Sequence, residues 1–98
     1  MVMRTIHKYL LPLQLQHADV AILMPFQAKI LTVQMQNDSL VLWAEIVTSA
    51  KPYVTRRFAV YGTGWTLPEY PWGGGASDDC YIGTVQNGSY AWHVYEVL

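Results

Sequence analysis

Apolar and polar residues alternate with period two along most of the chain, and no segment holds a helical period. The pattern predicts strands. RTIHKYLL at 4–11 opens the series, with Ile6 on the face opposite Thr5 and His7, and Pro12 is placed to bend or end it. LQLQ at 13–16 alternates and extends the reading as an edge. VAILM at 20–24 is a short apolar strand stopped by Pro25. In KILTVQMQ (29–36), Leu31, Val33 and Met35 are expected on one face and Thr32, Gln34 and Gln36 on the other. Asn37-Asp38-Ser39 supplies turn chemistry and LVLWAEIV (40–47) returns, which makes a hairpin.

Further along, VTRRFAVY (54–61) places Val54, Arg56, Phe58 and Val60 on one side and Thr55, Arg57, Ala59 and Tyr61 on the other. Residues 62–79 are rich in glycine and proline and form the one long irregular segment. DCYIGTV (79–85) and SYAWHVYEVL (89–98) are expected to close the fold as a hairpin across Gln86-Asn87-Gly88, since Asn-Gly tolerates positive φ. On the last strand Tyr90, Trp92, Val94 and Glu96 oppose Ala91, His93, Tyr95 and Val97. Bulk on both faces points to a central strand or a buried interface. Six to eight short strands with turns between them predict one all-β domain over residues 1–98, a small antiparallel β-sandwich or barrel with one long Gly/Pro/aromatic loop.

Composition sharpens this picture. The chain has 98 residues, 52% hydrophobic and 13% charged, against a usual charged share of about 25%. Apolar residues in that excess reach the surface of so small a domain, which points to a homo-oligomer or a larger assembly. Net charge is −1 and the only adjacent cations are Arg56 and Arg57, so nucleic-acid binding through a basic face is disfavoured. One cysteine, Cys80, excludes an internal disulfide framework and fits a reducing compartment. Pro12, Gln14 and Gln16 interrupt the leucine-rich start, and no apolar run is long enough to span a bilayer as a helix. A soluble cytoplasmic protein with no membrane partner is the expectation.

The ordered series KYLL, MPFQAKILTVQMQ, LVLWAEIV, RRFAVYGTGWTLP, YIGTV and AWHVYE resembles a family of short, functionally uncharacterised proteins found mainly in phages and prophages. The likeness spans nearly the whole chain. This sequence departs from the family at Trp65, where a histidine follows the GTG turn in other members, and in a longer loop over 66–80. The resemblance implies a viral accessory or structural protein and supplies no reaction.

Candidate chemistry centres on the same loop. Gly62-Thr63-Gly64 lacks the lysine of a P-loop and the helix of a dinucleotide loop, which leaves two readings: a tight turn that ends the strand, or a backbone-lined pocket edge helped by Trp65. Arg56 and Arg57 point to opposite faces, so only one of them can serve any one anion site. His7, His17 and His93 show no metal-ligand spacing, and no metal or other cofactor is expected. His93 with Cys80 or Asp79 across the closing hairpin would mimic a thiol–imidazole pair, but no activating base or oxyanion site is legible. Trp43 and Trp92 read as core residues. Trp65, Tyr70 and Trp72 read as loop aromatics that either meet a partner or plug one end of the fold.

The residues assigned to ligand or partner binding are therefore Gly62, Thr63, Gly64, Trp65, Arg57, Tyr70, Trp72 and His93. Two functions remain. One is a non-enzymatic binder acting in the host cytoplasm against antiviral defence, by sequestering a small nucleotide signal or by blocking a host defence protein. The other is a virion or assembly subunit, such as a capsid-decorating or connector protein.

Overall fold

A computed structural model describes residues 3–12, 20–66 and 81–97. Among these residues seven strands form two antiparallel sheets: β1 (Arg4–Leu11), β2 (Val20–Pro25), β3 (Lys29–Gln36), β4 (Ser39–Val47), β5 (Tyr53–Gly62), β6 (Tyr81–Asn87) and β7 (Tyr90–Val97). One sheet has the order β1-β4-β3 and the other β2-β5-β7-β6. The architecture is the expected small all-β, sandwich-like domain, with no helix among the described residues.

Period-two patterning decides what each sheet buries. In β4, Leu40, Leu42 and Ile46 face the second sheet, which answers with Phe58 and Val60 of β5 and Trp92 and Val94 of β7. Leu11 and Met24 extend this core at the strand ends. The chain crosses between sheets after β1, after β2 and again after β4. Gln27, at φ 66°, makes the crossing turn from β2 to β3, closed by Ala28 N–H donating to Pro25 O at 3.1 Å. The edges of β3 and β6 meet: a Cβ built on Gly83 would stand 3.5 Å from Val33 Cγ1, an ordinary packing distance.

Both tight hairpins are present, and their geometry refines the sequence reading. Asn37 and Asp38 take φ of 50° and 64°, the two positive values of a type I′ turn, whose twist matches the strands it joins. Between β6 and β7, Asn87 pairs with Tyr90, so the central turn residues are Gly88 and Ser89. Only Gly88 has positive φ, at 62°. That is the type II′ pattern with glycine first, one residue later than Asn-Gly predicts.

Two further expectations are corrected. A bulge between Ile30 and Thr32 shifts the register of β3, so Ile30 joins Val33 and Met35 on the core-facing side while Leu31 is exposed. Trp43 lies on the outer face of its sheet, because the inward positions of β4 are the even ones. There Lys8 Nζ stands 6.0 Å from the Trp43 ring centroid. Trp92 does belong to the core, and β7 is central in its sheet, as its two bulky faces require. The 13–16 segment, predicted as an edge, lies outside the described residues.

Candidate functional site

The GTG turn resolves into two glycines with different duties. Trp65 N–H donates to Gly62 O at 3.1 Å and Gly64 takes φ +87°. A positive φ at the third position of a four-residue turn is the type II signature and favours glycine. Gly62 instead makes room: a Cβ there would meet Trp65 Cε2 and Nε1 at 2.8 Å. The indole thus lies on bare backbone and turns its edge to Trp92, with centroids 5.8 Å apart at 85°. Trp65 is half-buried against the core and covers its end. The strand-ending turn read from the sequence is observed, and Trp65 packs inward. Tyr70 and Trp72, expected beside it, lie outside the described residues, as do Asp79 and Cys80.

Thr63, between the glycines, points the other way. Its Oγ1 lies 2.8 Å from His93 Nε2, and Thr84 Oγ1 lies 2.9 Å from His93 Nδ1. Thr84 Oγ1 in turn bonds the Tyr81 hydroxyl. A neutral imidazole has one donor and one acceptor nitrogen, so one threonine hydroxyl donates to the ring and the other accepts from it. The result is a relay, Tyr81–Thr84–His93–Thr63, drawn from β6, β7 and the turn after β5. All of it lies on the face of the four-stranded sheet turned away from the core.

The relay depends on an irregularity in β6. Strict alternation would send Tyr81 and Thr84 to opposite faces. A register shift between Tyr81 and Gly83 puts Tyr81 opposite Tyr95 and Thr84 opposite His93, on one face. Tyr81, Thr84, Tyr61 and Tyr95 were not among the residues expected from sequence. The available signal was Gly83, since an isolated glycine in a strand pattern marks a bulge.

Tyrosines form the floor beside the relay. Tyr95 packs against Tyr61 at 5.8 Å and against Tyr81 at 5.3 Å between centroids. Tyr61 is buried, His93 and Tyr95 are half-buried, and Thr63, Thr84 and Tyr81 are exposed. Accessible hydroxyls and imidazole therefore rim an aromatic floor. No carboxylate among the described residues shares this face, and among them no three or more His, Cys, Asp or Glu side chains converge on a metal site.

The two arginines separate cleanly. Arg56 faces inward, where Nε and Nη2 each donate to the Glu96 carboxylate at 2.7 Å and Nη1 donates to Ala28 O at 2.5 Å. Its fork is filled by β7 and by the turn between β2 and β3, so it ties the four-stranded sheet to the turn that crosses to the other sheet. The pair borders a cleft of about 310 Å³ with Lys29, Tyr81 and Ile82 at the junction of β3 and β6. Arg57 is exposed on the relay face, opposite Val97 and diagonal to Tyr95, with no ion-pair partner among the described residues. Arg57 and His93 stand about 14 Å apart by strand geometry.

With this geometry in view, the comparison with known families is decisive for kinship. Residues 3–98 match the model of a family described as Domain of unknown function (DUF7352). The chain belongs to the DUF7352 family. No curated protein matches it, and no solved structure does. For this DUF7352 member the site must therefore be read from its own side chains. Of the expected residues, the structure brings Thr63 and His93 into direct contact and sets Arg57 on the same face. It turns Gly62 and Trp65 toward the core and leaves Gly64 to shape the turn.

Proposed function

We propose that this chain is a non-enzymatic binding protein that captures a small nucleotide signal on the relay face. In the phage setting implied by the resemblance of its motifs, capture withdraws that signal from a host antiviral defence. The observation that supports this reading is His93, held at both ring nitrogens by threonine hydroxyls on an accessible face. With both ring nitrogens engaged, the imidazole fixes the threonine hydroxyls, and these keep hydrogen-bonding capacity to offer a base edge or a ribose. Tyr81, exposed beside the relay, offers a stacking surface, and Arg57 offers a planar fork to phosphate. Both ring partners are hydroxyls, so no anionic group steadies a developing imidazolium as the acid of a Ser-His-Asp triad does. That favours recognition over turnover.

The test is thermal denaturation of the purified protein with cyclic dinucleotides and ADP-ribose derivatives. A ligand at about 100 times its Kd stabilises the native state by about 2.7 kcal/mol, worth roughly 10 °C or more in a domain of this size. No shift with any member of the panel contradicts the proposal. A second reading, a virion or assembly subunit, is favoured by the long edge of β1 with its exposed apolar side chains. Finding the protein in purified particles would move the assignment there.

A further inference from the structure

We infer that a second copy of this chain docks against β1, edge to edge and antiparallel, to make one continuous six-stranded sheet. Among the described residues, three of the four sheet edges are protected. The edges of β3 and β6 meet each other and each carries a register shift, while β2 is short and ends on Pro25. Of these described edges, β1 alone runs eight residues in unbroken register. A long regular edge invites pairing with another strand. Its outer side chains Ile6 and Leu10 are 57% and 63% exposed.

The hydrogen-bond phase of β1 fixes which groups a partner would meet. Thr48 N–H donates to Met3 O at 2.9 Å, so Met3 and Thr48 are a hydrogen-bonded pair of the β1–β4 ladder. Bonded and non-bonded pairs alternate, so the odd residues of β1 bond to β4. The amides and carbonyls of Arg4, Ile6, Lys8 and Leu10 therefore point out of the sheet. One antiparallel register uses every one of them: Arg4 opposite Leu10 of the second copy and Ile6 opposite Lys8, with the two-fold axis at His7. Neighbouring registers that keep each side chain on its own face set Lys8 against Lys8, or Arg4 against Lys8, and leave outward groups unpaired. The register at His7 places each cation against an aliphatic side chain instead. Arg4 is meanwhile neutralised within its own copy by Glu45 at 3.3 Å.

This edge lies on the three-stranded sheet and the relay on the four-stranded one, so the inference stands or falls apart from the nucleotide reading. The test is sedimentation velocity over a concentration series, with three substitutions at Ile6. Ile6→Lys meets Lys8 of the other copy twice per dimer and weakens association about tenfold. Ile6→Glu meets the same lysines and tightens it. Ile6→Pro removes only an outward N–H, which an edge strand tolerates, and gives a monomer with an unchanged circular dichroism spectrum. If Ile6→Pro fails to fold, the opposed effects of Lys and Glu still decide the matter. A chain that stays monomeric at every concentration, or a dimer indifferent to Lys and Glu at Ile6, overturns the inference.

Discussion

Replacing Gly62 by alanine isolates the packing of Trp65. The added Cβ would sit 2.8 Å from two atoms of the indole, about 0.8 Å inside an ordinary carbon contact. The obstacle is a rigid ring, so Trp65 must lift away from Trp92. A half-buried tryptophan removes about 100 Å² from water, worth about 2.5 kcal/mol at 25 cal/mol per Å². The edge contact with Trp92 adds about 1 kcal/mol. Partial lifting forfeits part of both, so the expected cost is about 2 kcal/mol, in the usual range for overpacking. Urea denaturation with parallel thermal melts measures it, and the midpoint temperature should fall by roughly 8–16 °C. The decisive control is the same substitution in a Trp65→Ala background. There the obstructing ring is gone, and Gly62→Ala becomes neutral or slightly stabilising through its effect on the unfolded chain. An equal cost in both backgrounds would refute the claim that Gly62 exists to seat the indole.

Other consequences follow from the same contacts. Removing one partner of the Arg56–Glu96 pair leaves a largely buried charge, so Arg56→Met should cost about 2–3 kcal/mol by denaturant titration. Arg56→Met with Glu96→Leu should recover much of that loss. Asp38 holds a positive φ of 64° in the type I′ turn, so Asp38→Gly should add about 0.5–1 kcal/mol in the same assay. Tyr9 titrates above its ordinary 10.0, because burial disfavours the phenolate and charge on Tyr53 adds to that. The native state then holds its proton to higher pH than the unfolded chain does. Stability is intact below about pH 10 and declines as pH rises through the folded value. Tyr9→Phe should flatten that decline in melts followed between pH 9 and 11.

How much of this was legible in the sequence depends on whether the feature obeys strand periodicity. Alternation located the strands and put Arg56 and Arg57 on opposite faces, because a regular strand projects side chains with period two. It also identified β7 as a strand flanked on both sides. What escaped were the departures from that period. The shift at Ile30/Thr32 exchanged Leu31 for Ile30 in the core, and the shift at Tyr81/Gly83 brought Tyr81 and Thr84 together. A bulge changes the face of every residue on one side of it, and its position depends on the partner strand. Trp43 was misplaced for a related reason. Val41 and Trp43 are as apolar as Leu40 and Leu42, so hydrophobicity alone could not say which row of β4 faces inward. At the candidate site, His93 and Thr63 were expected within one ligand-binding set. Their bond runs between the closing hairpin and the turn after β5, a tertiary relation that spacing does not encode.

The central claim is that the His93 relay face captures a nucleotide. Isothermal titration of the wild-type protein, Thr63→Val, Thr84→Val and His93→Ala against cyclic dinucleotides and ADP-ribose derivatives tests it most directly. The account predicts saturable binding of at least one ligand to the wild type and a loss of at least tenfold in affinity for His93→Ala. The threonine variants, which free one ring nitrogen each, should fall between. No heat with any ligand, or equal affinity in wild type and His93→Ala, would contradict it.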